Sequence, residues 1–536
     1  MRRYLYAFIA FSAALAVRLY PTLLSGLPFS TDAWSPIRNT ELLLEHTPIS
    51  LDDDMMDGYN CYWPANSLFC AVLSQAAGLK PMVAMAFGIP LAGALTIPIL
   101  YTLLCRISRS RRPAFLSSIL LAITYPYAFF TAGVTKETYA NPLYILLILI
   151  FMSRGGWGRI LLFAVASSAL VMSHHLTSLI AIAILANIAL ASYILSVMRS
   201  VSQDRSGFLL VSILTAAAAL YFGLYAYRGL RIAFTLSDLL SAASYQILAF
   251  AITLYLAFKP QPSSDRGMLP ACIASAAIAF LAAFLCTRRS IMPDAPILPS
   301  RYILYAAPFI LTSPLTVLGV GELHGMQSWE GYALLFWLST LLGLESYAVF
   351  GSSPLGLTLA YRTLNILCIP LTILSGFGLH RLCKASDGLG RRGAVKPAIM
   401  IVLIAIVALN SYSIYASILL QERYMGYFWL YKRSEYYAAA WVRGVACNQT
   451  IAGDVKASYI LRGYFGLSVD VLYGLKYLAG EAASEPRILF TYDQMAGNGY
   501  VIYGGYSVDL PGDWRGRILR LNLVYSSRVV DIHEAG

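Results

Sequence analysis

The chain has 536 residues, of which 58% are hydrophobic and 12% are charged. A water-soluble protein of this composition would expose too much apolar surface, so a polytopic membrane protein is indicated. The net charge of +12 favours anionic partners. Membrane topology explains most of that charge, and it makes no case for nucleic acid.

Thirteen apolar stretches are predicted to be membrane spans, because a helix of roughly 17–25 residues crosses a bilayer. They lie near 4–24, 82–104, 114–130, 139–152, 160–172, 177–198, 208–226, 241–258, 269–286, 302–320, 331–350, 363–380 and 398–420. The first is too long for a signal-peptide core and lacks a small-residue cleavage site, which predicts a retained span. Three of the thirteen look short, so re-entrant or merged segments are an alternative for them.

Lysine and arginine residues predict the orientation of these spans. The short loops on one side carry 17 of them, and the opposite short loops carry 9. Because positive residues are enriched in cytoplasmic loops, the N-terminus and the loop with Arg391 and Arg392 are expected in the cytoplasm. An odd number of spans then places residues 25–81 and the C-terminal residues outside. The sequence thus predicts a multi-pass protein of the plasma membrane.

The predicted external loop at residues 25–81 carries the first candidate catalytic residue, Asp32, a few residues beyond the first span. The neighbouring Trp34 is of a residue type that favours the lipid headgroup zone. A carboxylate held there is well placed to act on a lipid-borne substrate. The alternative is that Asp32 caps a short helix that begins near Ser35.

Cysteines and clustered acids leave disulfide and cation binding open. The eight cysteines show no metal-type pairing such as C-x-x-C. Cys61 and Cys70 share the first loop, where a disulfide competes with two unpaired apolar cysteines. The acidic run at 52–54, with Asp57, is compatible with a cation site or with a solvated turn.

Three further groups of ionisable residues lie at span ends on the same predicted face: Lys136-Glu137, His174-His175 and Arg362. Ionisable residues at membrane depth are costly and are usually functional or paired. Each group also has a structural alternative. Glu137 pairs with Lys136 or caps its span, the histidines are satisfied core residues, and Arg362 is an interfacial anchor.

Residues 431–536 change character and predict a small external α/β domain after a membrane domain at 1–430. A helix is expected at Tyr436–Val445, a strand at Thr450–Asp454 and a second helix from Ala457. Short β-like runs follow, separated by turns rich in Gly, Asn and Asp. The predicted fold class is therefore mainly α: a polytopic transmembrane helical bundle with a small external C-terminal α/β domain.

The order and sidedness of these motifs resemble the GT-C superfamily, which comprises polytopic glycosyltransferases that use polyprenyl-phosphate-linked sugars. The shared features are a long first external loop with an early acid, an acid in the second external turn, and an external domain after an odd number of spans. The motifs that carry the resemblance, over most of the chain, are Tyr62-Trp63-Pro64, Thr135-Lys136-Glu137-Thr138, Ser173-His174-His175-Leu176-Thr177, Tyr361-Arg362 and Asn522-Leu523-Val524-Tyr525-Ser526. The pattern is similar to that of prokaryotic, especially archaeal, members.

The resemblance implies that a sugar moves from a polyprenyl-phosphate donor to a lipid, glycan or protein acceptor at the outer membrane face. Asp32 matches the catalytic base of the family, and Glu137 matches its second-loop acid. A fixed carboxylate takes the proton of the acceptor hydroxyl, and nearby negative charge suits an oxocarbenium-like transition state. The implied reaction is an inverting displacement assisted by Asp32.

The resemblance also implies residues that bind the donor. Arg362 lies where a donor-phosphate ligand is expected, and Lys136, His174 and His175 are further candidates for substrate binding. Arg362 opens an apolar span, where a buried unpaired arginine is costly. It therefore needs an anionic partner, which is either Glu345 or the lipid phosphate.

Two departures from the oligosaccharyltransferase branch limit what is carried over. That branch has a W-W-D-Y-G signature, and this sequence has no Trp-Trp pair. Glu137 also stands without a second acid close by. The resemblance therefore implies neither whole-glycan transfer to asparagine nor an obligatory metal. No cofactor is certain. The open alternative is a site for a divalent cation (Mg²⁺ or Mn²⁺) that His174 or His175 completes.

Two other functions compete with glycosyl transfer. A transporter or lipid flippase predicts charges and broken helices near mid-bilayer, whereas the candidate residues here gather at one face. A non-catalytic scaffold of envelope glycan assembly is compatible with the same sequence.

Overall fold

The computed structural model of the protein describes most of the chain as helix. The described residues are 2–46, 56, 58–199, 206–229, 235–259, 268–293, 295–326, 328–351, 356–388, 395–420, 422–446, 449–503 and 506–536. The acidic run at 52–54 and Asp57 lie outside them, as do Arg391 and Arg392.

The helices are α1 Arg2–Ser25, α2 Trp34–Glu45, α3 Ala65–Ala77, α4 Pro81–Ser108, α5 Arg111–Ile123, α6 Tyr127–Ala132, α7 Lys136–Phe151, α8 Trp157–Ser173, α9 His175–Arg199, α10 Ser206–Leu224, α11 Leu236–Phe258, α12 Met268–Cys286, α13 Ile303–Gly325, α14 Trp329–Phe350, α15 Gly356–Gly388, α16 Val395–Leu419, α17 Arg433–Val445, α18 Val455–Ser458, α19 Val471–Ala479, α20 Asp493–Asn498 and α21 Trp514–Ile518. The strands are β1 Ile451–Ala452, β2 Val469–Asp470, β3 Ile488–Tyr492, β4 Tyr500–Tyr503, β5 Tyr506–Asp509, β6 Asn522–Ser526 and β7 Val530–Glu534.

The predicted spans all fall on helices. Within the described ranges, ten helices are long and apolar enough to cross a membrane. The other three predicted spans coincide with α5 and α6, α7, and α8, whose helices have 17 residues or fewer. The break after α5 falls just before Pro126, which cannot continue an α-helical hydrogen-bond ladder. The structure confirms a multi-pass helical membrane protein.

The chain divides into two compact units. Unit 1 comprises Met1–Arg18, Ala92–Thr131 and Tyr139–Ile414. Unit 2 comprises Leu19–Leu91, Ala132–Thr138 and Tyr415–Gly536. The predicted external loop and the C-terminal α/β residues therefore share one unit.

Unit 1 is a bundle whose helices approach very closely. A Cβ at Gly319 of α13 would lie 1.9 Å from the carbonyl oxygen of Leu374 in α15. On α5, the Ser117 hydroxyl donates to the Ile373 carbonyl at 3.0 Å. Small residues at such crossings allow helix backbones to pack in van der Waals contact within a membrane.

Unit 2 contains the predicted α/β part, which is confirmed. A five-stranded sheet has the order β2-β1-β3-β7-β6, in which β1 pairs in parallel with β2 and β3, and β7 is antiparallel to β3 and β6. β4 and β5 form a separate antiparallel pair. Cys61 and Cys70, in the first loop, are free thiols, so the disulfide alternative is wrong.

Candidate functional site

The Asp32 turn is a single 3-10 turn, Thr31–Ala33, in unit 2. It is preceded by Ser30, which is fully buried and has φ 108° and ψ 141°. A non-glycine residue in such a conformation costs on the order of 1–3 kcal/mol and persists only where its surroundings impose it. The Ser30 hydroxyl accepts a hydrogen bond from the Asp32 amide at 3.2 Å. The backbone of the turn is therefore strained and fixed.

Two backbone hydrogen bonds within unit 2 impose this conformation. The Phe29 carbonyl accepts from the Val134 amide at 2.7 Å, and the Ser30 amide donates to the Trp429 carbonyl at 3.0 Å. The rings of Phe29 and Trp429 also meet edge to face, with centroids 5.8 Å apart. Segments from the second loop and from the C-terminal part thus hold the Asp32 turn on two sides.

The Asp32 carboxylate is exposed although Thr31 and Ala33 beside it are buried. Within the residues that the structure describes, it makes no hydrogen bond or ion pair. The N-cap of α2 is Ala33, and no side chain caps that helix. The helix-cap alternative for Asp32 is therefore wrong, and its carboxylate is left facing solvent.

Trp34 does not lie at a headgroup surface as expected from its residue type. Its side chain is fully buried, and its ring packs against Tyr431 at 5.0 Å, Tyr464 at 5.8 Å and Tyr436 at 6.2 Å between centroids. All four residues belong to unit 2. This aromatic packing anchors the start of α2 directly behind the Asp32 turn.

The second predicted acid, Glu137, is buried in the first turn of α7. Thr135 caps this helix, because its hydroxyl accepts from the Thr138 amide at 3.0 Å. The Thr138 hydroxyl in turn donates to the Gly133 carbonyl at 2.7 Å. The cap of α7 is therefore Thr135 and not Glu137. The negative charge of Glu137 still interacts favourably with the helix dipole at this N-terminus.

Lys136 connects this turn to the first loop within unit 2. Its ammonium group donates to Asn60 Oδ1 at 2.6 Å and lies 3.9 Å from the ring centroid of Tyr59. The Trp63 ring follows at 5.4 Å. Contacts between a cation and aromatic faces are worth about 0.5–2 kcal/mol. The structure therefore brings Lys136, Glu137 and the Asp32 turn into one compact unit.

The two candidate histidines belong to unit 1. His174 is buried at the end of α8, and its Nδ1 accepts from the Thr177 amide at 3.3 Å and contacts the Thr177 hydroxyl at 2.7 Å. Because Nδ1 accepts, the proton of the neutral ring is assigned to Nε2. His174 thus caps α9, and its ring lies 5.0 Å from that of the half-buried His175.

Arg362 also belongs to unit 1, in the second turn of α15. It is half-buried, and its guanidinium carbon lies 5.7 Å from the Tyr361 ring centroid. Glu345 makes no ion pair with it, and the buried Glu345 Oε2 has no hydrogen-bond partner among the described residues. Glu345 as the partner of Arg362 is therefore wrong.

The structure was compared with known proteins. No protein-family model matches the sequence, and no curated protein is significantly similar to it. Among solved structures, the archaeal oligosaccharyltransferase AglB from Archaeoglobus fulgidus, in complex with an inhibitory peptide and a dolichol-phosphate, is similar with a TM-score of 0.58. The similarity covers 92% of this chain and 70% of AglB at 12% identity. The chain has the GT-C fold.

Two other solved structures are weaker matches. Arabinofuranosyltransferase AftD from mycobacteria has a TM-score of 0.47 at 14% identity, over 98% of this chain and 41% of AftD. ArnT from Cupriavidus metallidurans, in the apo state, has a TM-score of 0.41 at 13% identity, over the full length of both chains. The assignment of the GT-C fold rests on the AglB similarity.

Within this GT-C fold, the described residues do not assemble a metal site. No three His, Cys, Asp or Glu side chains in that part of the chain come together as a group able to hold an ion. His174 is engaged with Thr177 at the end of α8. The divalent-cation alternative therefore stays a prediction.

Sequence reasoning missed a buried ion pair in the C-terminal part of unit 2. Lys456 Nζ lies 2.7 Å from Glu435 Oε1, and both side chains are at most 5% exposed. Lys456 also donates to Gln494 Oε1 at 3.0 Å and lies between the rings of Tyr431 and Tyr492, at 5.0 and 4.8 Å. A lysine near a predicted strand end gives no local signal of burial.

Asp454 is the acid at the end of the predicted strand, and it is buried. Its carboxylate accepts from the Ala457 amide at 2.9 Å, the Ile502 amide at 3.3 Å and the Tyr492 hydroxyl. Burial raises the pKa of this carboxyl above its ordinary value, against the opposing effect of these donors. Asp454 is thus an internal structural group.

Arg18 was also missed, although it lies within the first predicted span. It is fully buried in unit 1, where Nη1 donates to the carbonyls of Ala14 at 3.1 Å and Ala122 at 3.2 Å. The Tyr127 ring centroid lies 5.4 Å from its guanidinium carbon. A single basic residue in an apolar stretch gives no sign of such partners.

Proposed function

We propose that this protein is a membrane glycosyltransferase that moves a sugar from a polyprenyl-phosphate donor to an acceptor hydroxyl. The observation that carries the proposal is the Asp32 turn. It presents one exposed carboxylate on a strained backbone that two backbone hydrogen bonds hold in place. The GT-C fold supports a lipid-linked donor, since AglB was solved with a dolichol-phosphate.

In the proposed reaction, the acceptor oxygen attacks the anomeric carbon from the side opposite the lipid phosphate. The Asp32 carboxylate takes the hydroxyl proton as the new C–O bond forms. The bond between the anomeric carbon and the phosphate oxygen breaks, and the polyprenyl phosphate leaves with the electron pair. One displacement inverts the anomeric configuration, and the proton ends on Asp32.

Other residues are proposed to stabilise charge during this step. Glu137 supplies negative charge beside the oxocarbenium-like carbon. Arg362 is the proposed ligand of the phosphate, because the arginine fork can form two parallel hydrogen bonds to its oxygens. Lys136 is a candidate for substrate binding. The assigned Nε2–H of His174 is a further donor. His175 is the remaining candidate for substrate binding.

The missing Trp-Trp pair favours transfer of a single sugar over transfer of a whole glycan to asparagine. We propose a lipid, glycan or protein acceptor outside the cytoplasm.

The test of this orientation is cysteine-accessibility labelling in intact cells. Labelling of a cysteine placed at Asp470, an exposed residue of unit 2, is expected; its protection would contradict the proposed orientation.

The reaction is tested in two stages. Mass spectrometry of surface glycans and glycolipids, with and without the gene, first identifies the sugar and the acceptor. Asp32→Asn is then compared with Glu45→Gln, a matched exposed acid at the end of α2. General-base catalysis typically contributes about 10²–10⁴-fold, so Asp32→Asn is expected to lower the transfer rate by that factor. Glu45→Gln is expected to keep the wild-type rate. A rate for Asp32→Asn within about threefold of wild type excludes the proposed role.

A further inference from the structure

One edge of the five-stranded sheet in unit 2 is open. β6 lies at the end of the strand order, and among the described strands it pairs with β7 on one side. Tyr525 of β6 is half-buried, and the other four residues of the strand are exposed. Alternate residues of an edge strand have N–H and C=O groups without a partner in the sheet. The outer side of β6 is therefore a row of backbone donors and acceptors that faces solvent.

The hairpin that carries β6 is rigid. At its turn, the Ser527 amide donates to the Val530 carbonyl at 2.9 Å, and the Val530 amide donates to the Ser527 hydroxyl at 3.0 Å. The Tyr525 ring packs on Trp441 of α17, with ring centroids 5.1 Å apart. Because β6 is already held in an extended conformation, pairing with a further strand requires little additional ordering of this protein.

β6 does not have the residues that usually protect an edge strand. Protected edges carry lysine or proline, whereas β6 contains neither. Its exposed side chains include Leu523 at 56% and Val524 at 41%, and Leu519 just before the strand is 83% exposed. The register shift between Leu523 and Tyr525 increases the local twist and leaves these apolar side chains exposed. An uncovered edge with exposed apolar side chains is typical of a site that pairs with another chain.

Arginines stand beyond both ends of β6. Arg520 lies two residues before the strand and Arg528 two residues after it. Both are exposed, and neither makes an ion pair within the described part of the chain. Arg528 has φ 66°, a conformation that glycine adopts at lower cost. The acids of the hairpin, Asp531 and Glu534, lie on β7, one strand inside the edge. A segment that lies along the outer side of β6 therefore meets a positive charge at each end.

We propose that β6 binds an extended polypeptide segment of a partner protein, which has acidic residues at its ends and joins the sheet as a further strand. Backbone hydrogen bonds supply affinity, Leu523 and Val524 contact side chains of the segment, and the arginines meet its acids. A second copy of this chain fits less well. Antiparallel pairing of two β6 strands about Val524 sets arginines opposite each other, which is destabilising. The proposal does not depend on glycosyl transfer and stands whether or not Asp32 is a catalytic base.

The test uses the purified full-length protein and a capped, fluorescent peptide in which alternating valines and threonines lie between terminal aspartates. Fluorescence anisotropy is expected to give a dissociation constant below about 1 mM. The reference peptide has the same sequence with methyl groups on alternate backbone nitrogens, which removes hydrogen-bond donors. It is expected to bind at least about tenfold more weakly. Equal binding of the two peptides overturns the proposal, and so does the absence of saturable binding of the first.

The site is located with Leu523→Asp, which places a negative charge on the exposed strand. This variant is expected to weaken binding of the acidic peptide by at least about threefold, through repulsion and loss of apolar contact. The matched control is Leu472→Asp, at a leucine of α19 that is 46% exposed. α19 packs against β1, which is three strands away from β6. Wild-type binding by Leu523→Asp, or an equal loss in the control, overturns the proposal.

The role of the charges is tested with Arg520→Gln/Arg528→Gln. An exposed ion pair changes affinity by up to roughly fivefold, so this variant is expected to weaken peptide binding by about 2–25-fold. The matched control is Arg443→Gln/Arg462→Gln, which changes two exposed arginines. The Arg443 guanidinium carbon lies 6.0 Å from the ring centroid of Phe465, which precedes β2 at the opposite end of the strand order. A control that loses as much affinity as Arg520→Gln/Arg528→Gln overturns the proposed contact.

Two other occupants of the β6 edge give different results. If a second copy binds there, light scattering shows a dimer that Leu523→Asp converts to a monomer. If an anionic membrane surface binds there, phosphatidylglycerol at the concentration of the peptide displaces it completely, and the methylated peptide binds equally well. Either result overturns the proposal. A monomer that retains the acidic peptide in the presence of phosphatidylglycerol supports it.

Discussion

Asp32 and Asp454 lie in the same compact unit, and each stands just before a helix, yet their surroundings are opposite. Asp32 is exposed and makes no hydrogen bond or ion pair within the described residues. Asp454 is buried and accepts hydrogen bonds from three donors. The backbone before Asp32 is strained, whereas Asp454 is the side-chain cap of α18. An aspartate is thus exposed to solvent at position 32, and at position 454 an aspartate is a buried, hydrogen-bonded structural residue.

The difference shows which property separates a candidate catalytic acid from a structural one. A strand or turn that ends in an acid is common to both positions, so the local sequence does not distinguish them. Satisfied hydrogen bonds and burial mark Asp454 as structural. An available carboxylate on an imposed, costly backbone supports the proposal that Asp32 is a catalytic residue. Variants in the two regions should therefore affect different measurements.

The largest effect on stability is expected for Lys456→Met in the Asp454 region. It leaves Glu435 buried without its ion-pair partner, which costs about 3–5 kcal/mol. Lys456→Met/Glu435→Gln is expected to recover part of this loss. Chemical unfolding of the purified protein, followed by tryptophan fluorescence, measures both. A single variant as stable as the double variant would show that the pair contributes nothing.

Asp454→Asn is expected to lower the unfolding free energy by about 1–3 kcal/mol, because an amide cannot accept at both oxygen positions. The matched control is Asp470→Asn, at an exposed cap of α19, where Asn caps as well as Asp. Asp32→Asn should leave stability within about 0.5 kcal/mol of wild type. Chemical unfolding curves give the unfolding free energy of the three variants. Equal decreases in this free energy for Asp32→Asn and Asp454→Asn would contradict the proposed difference between the two acids.

Ser30→Ala and Ser30→Gly separate backbone strain from hydrogen bonding in the Asp32 turn. Both variants lose the bond to the Asp32 amide, but only glycine adopts φ 108° without steric cost. Ser30→Ala is expected to be less stable than Ser30→Gly by about 1 kcal/mol. The midpoints of chemical unfolding give the difference. Identical midpoints would mean that Ser30 stores no strain.

The smallest expected effect is a pH dependence at Asp454. Burial raises the pKa of this carboxyl in the folded protein above the unfolded value of 3.8, so the fold binds its proton more tightly than the unfolded chain does. Its contribution to stability is therefore complete below that value and is lost as the pH rises through the folded pKa. The stability difference between wild type and Asp454→Asn should shrink as the pH rises above about 4. Growth of the difference with pH would show that Asp454 behaves as an ordinary paired acid.

Length and apolarity were sufficient to predict the helices of the membrane part, because a bilayer leaves few alternatives to a helix. The pattern of acids near span ends also singled out the Asp32 and Glu137 turns, which the structure places in one compact unit. The burial of Trp34 and Lys456 was not predictable, since their partners Tyr464 and Glu435 are recognised only in three dimensions. The same holds for Ser30, whose conformation is imposed through hydrogen bonds to Val134 and Trp429, which are distant in sequence.

The hydrogen bond between the Ser30 amide and the Trp429 carbonyl has a consequence for biosynthesis. Its two residues are made roughly 400 positions apart, which takes about 20–80 s at translation rates of about 5–20 residues per second. Throughout that interval the nascent chain holds Asp32 without the contact that fixes its backbone. A chain still on the ribosome therefore carries the acid but not the contact that fixes its backbone until residue 429 has been made.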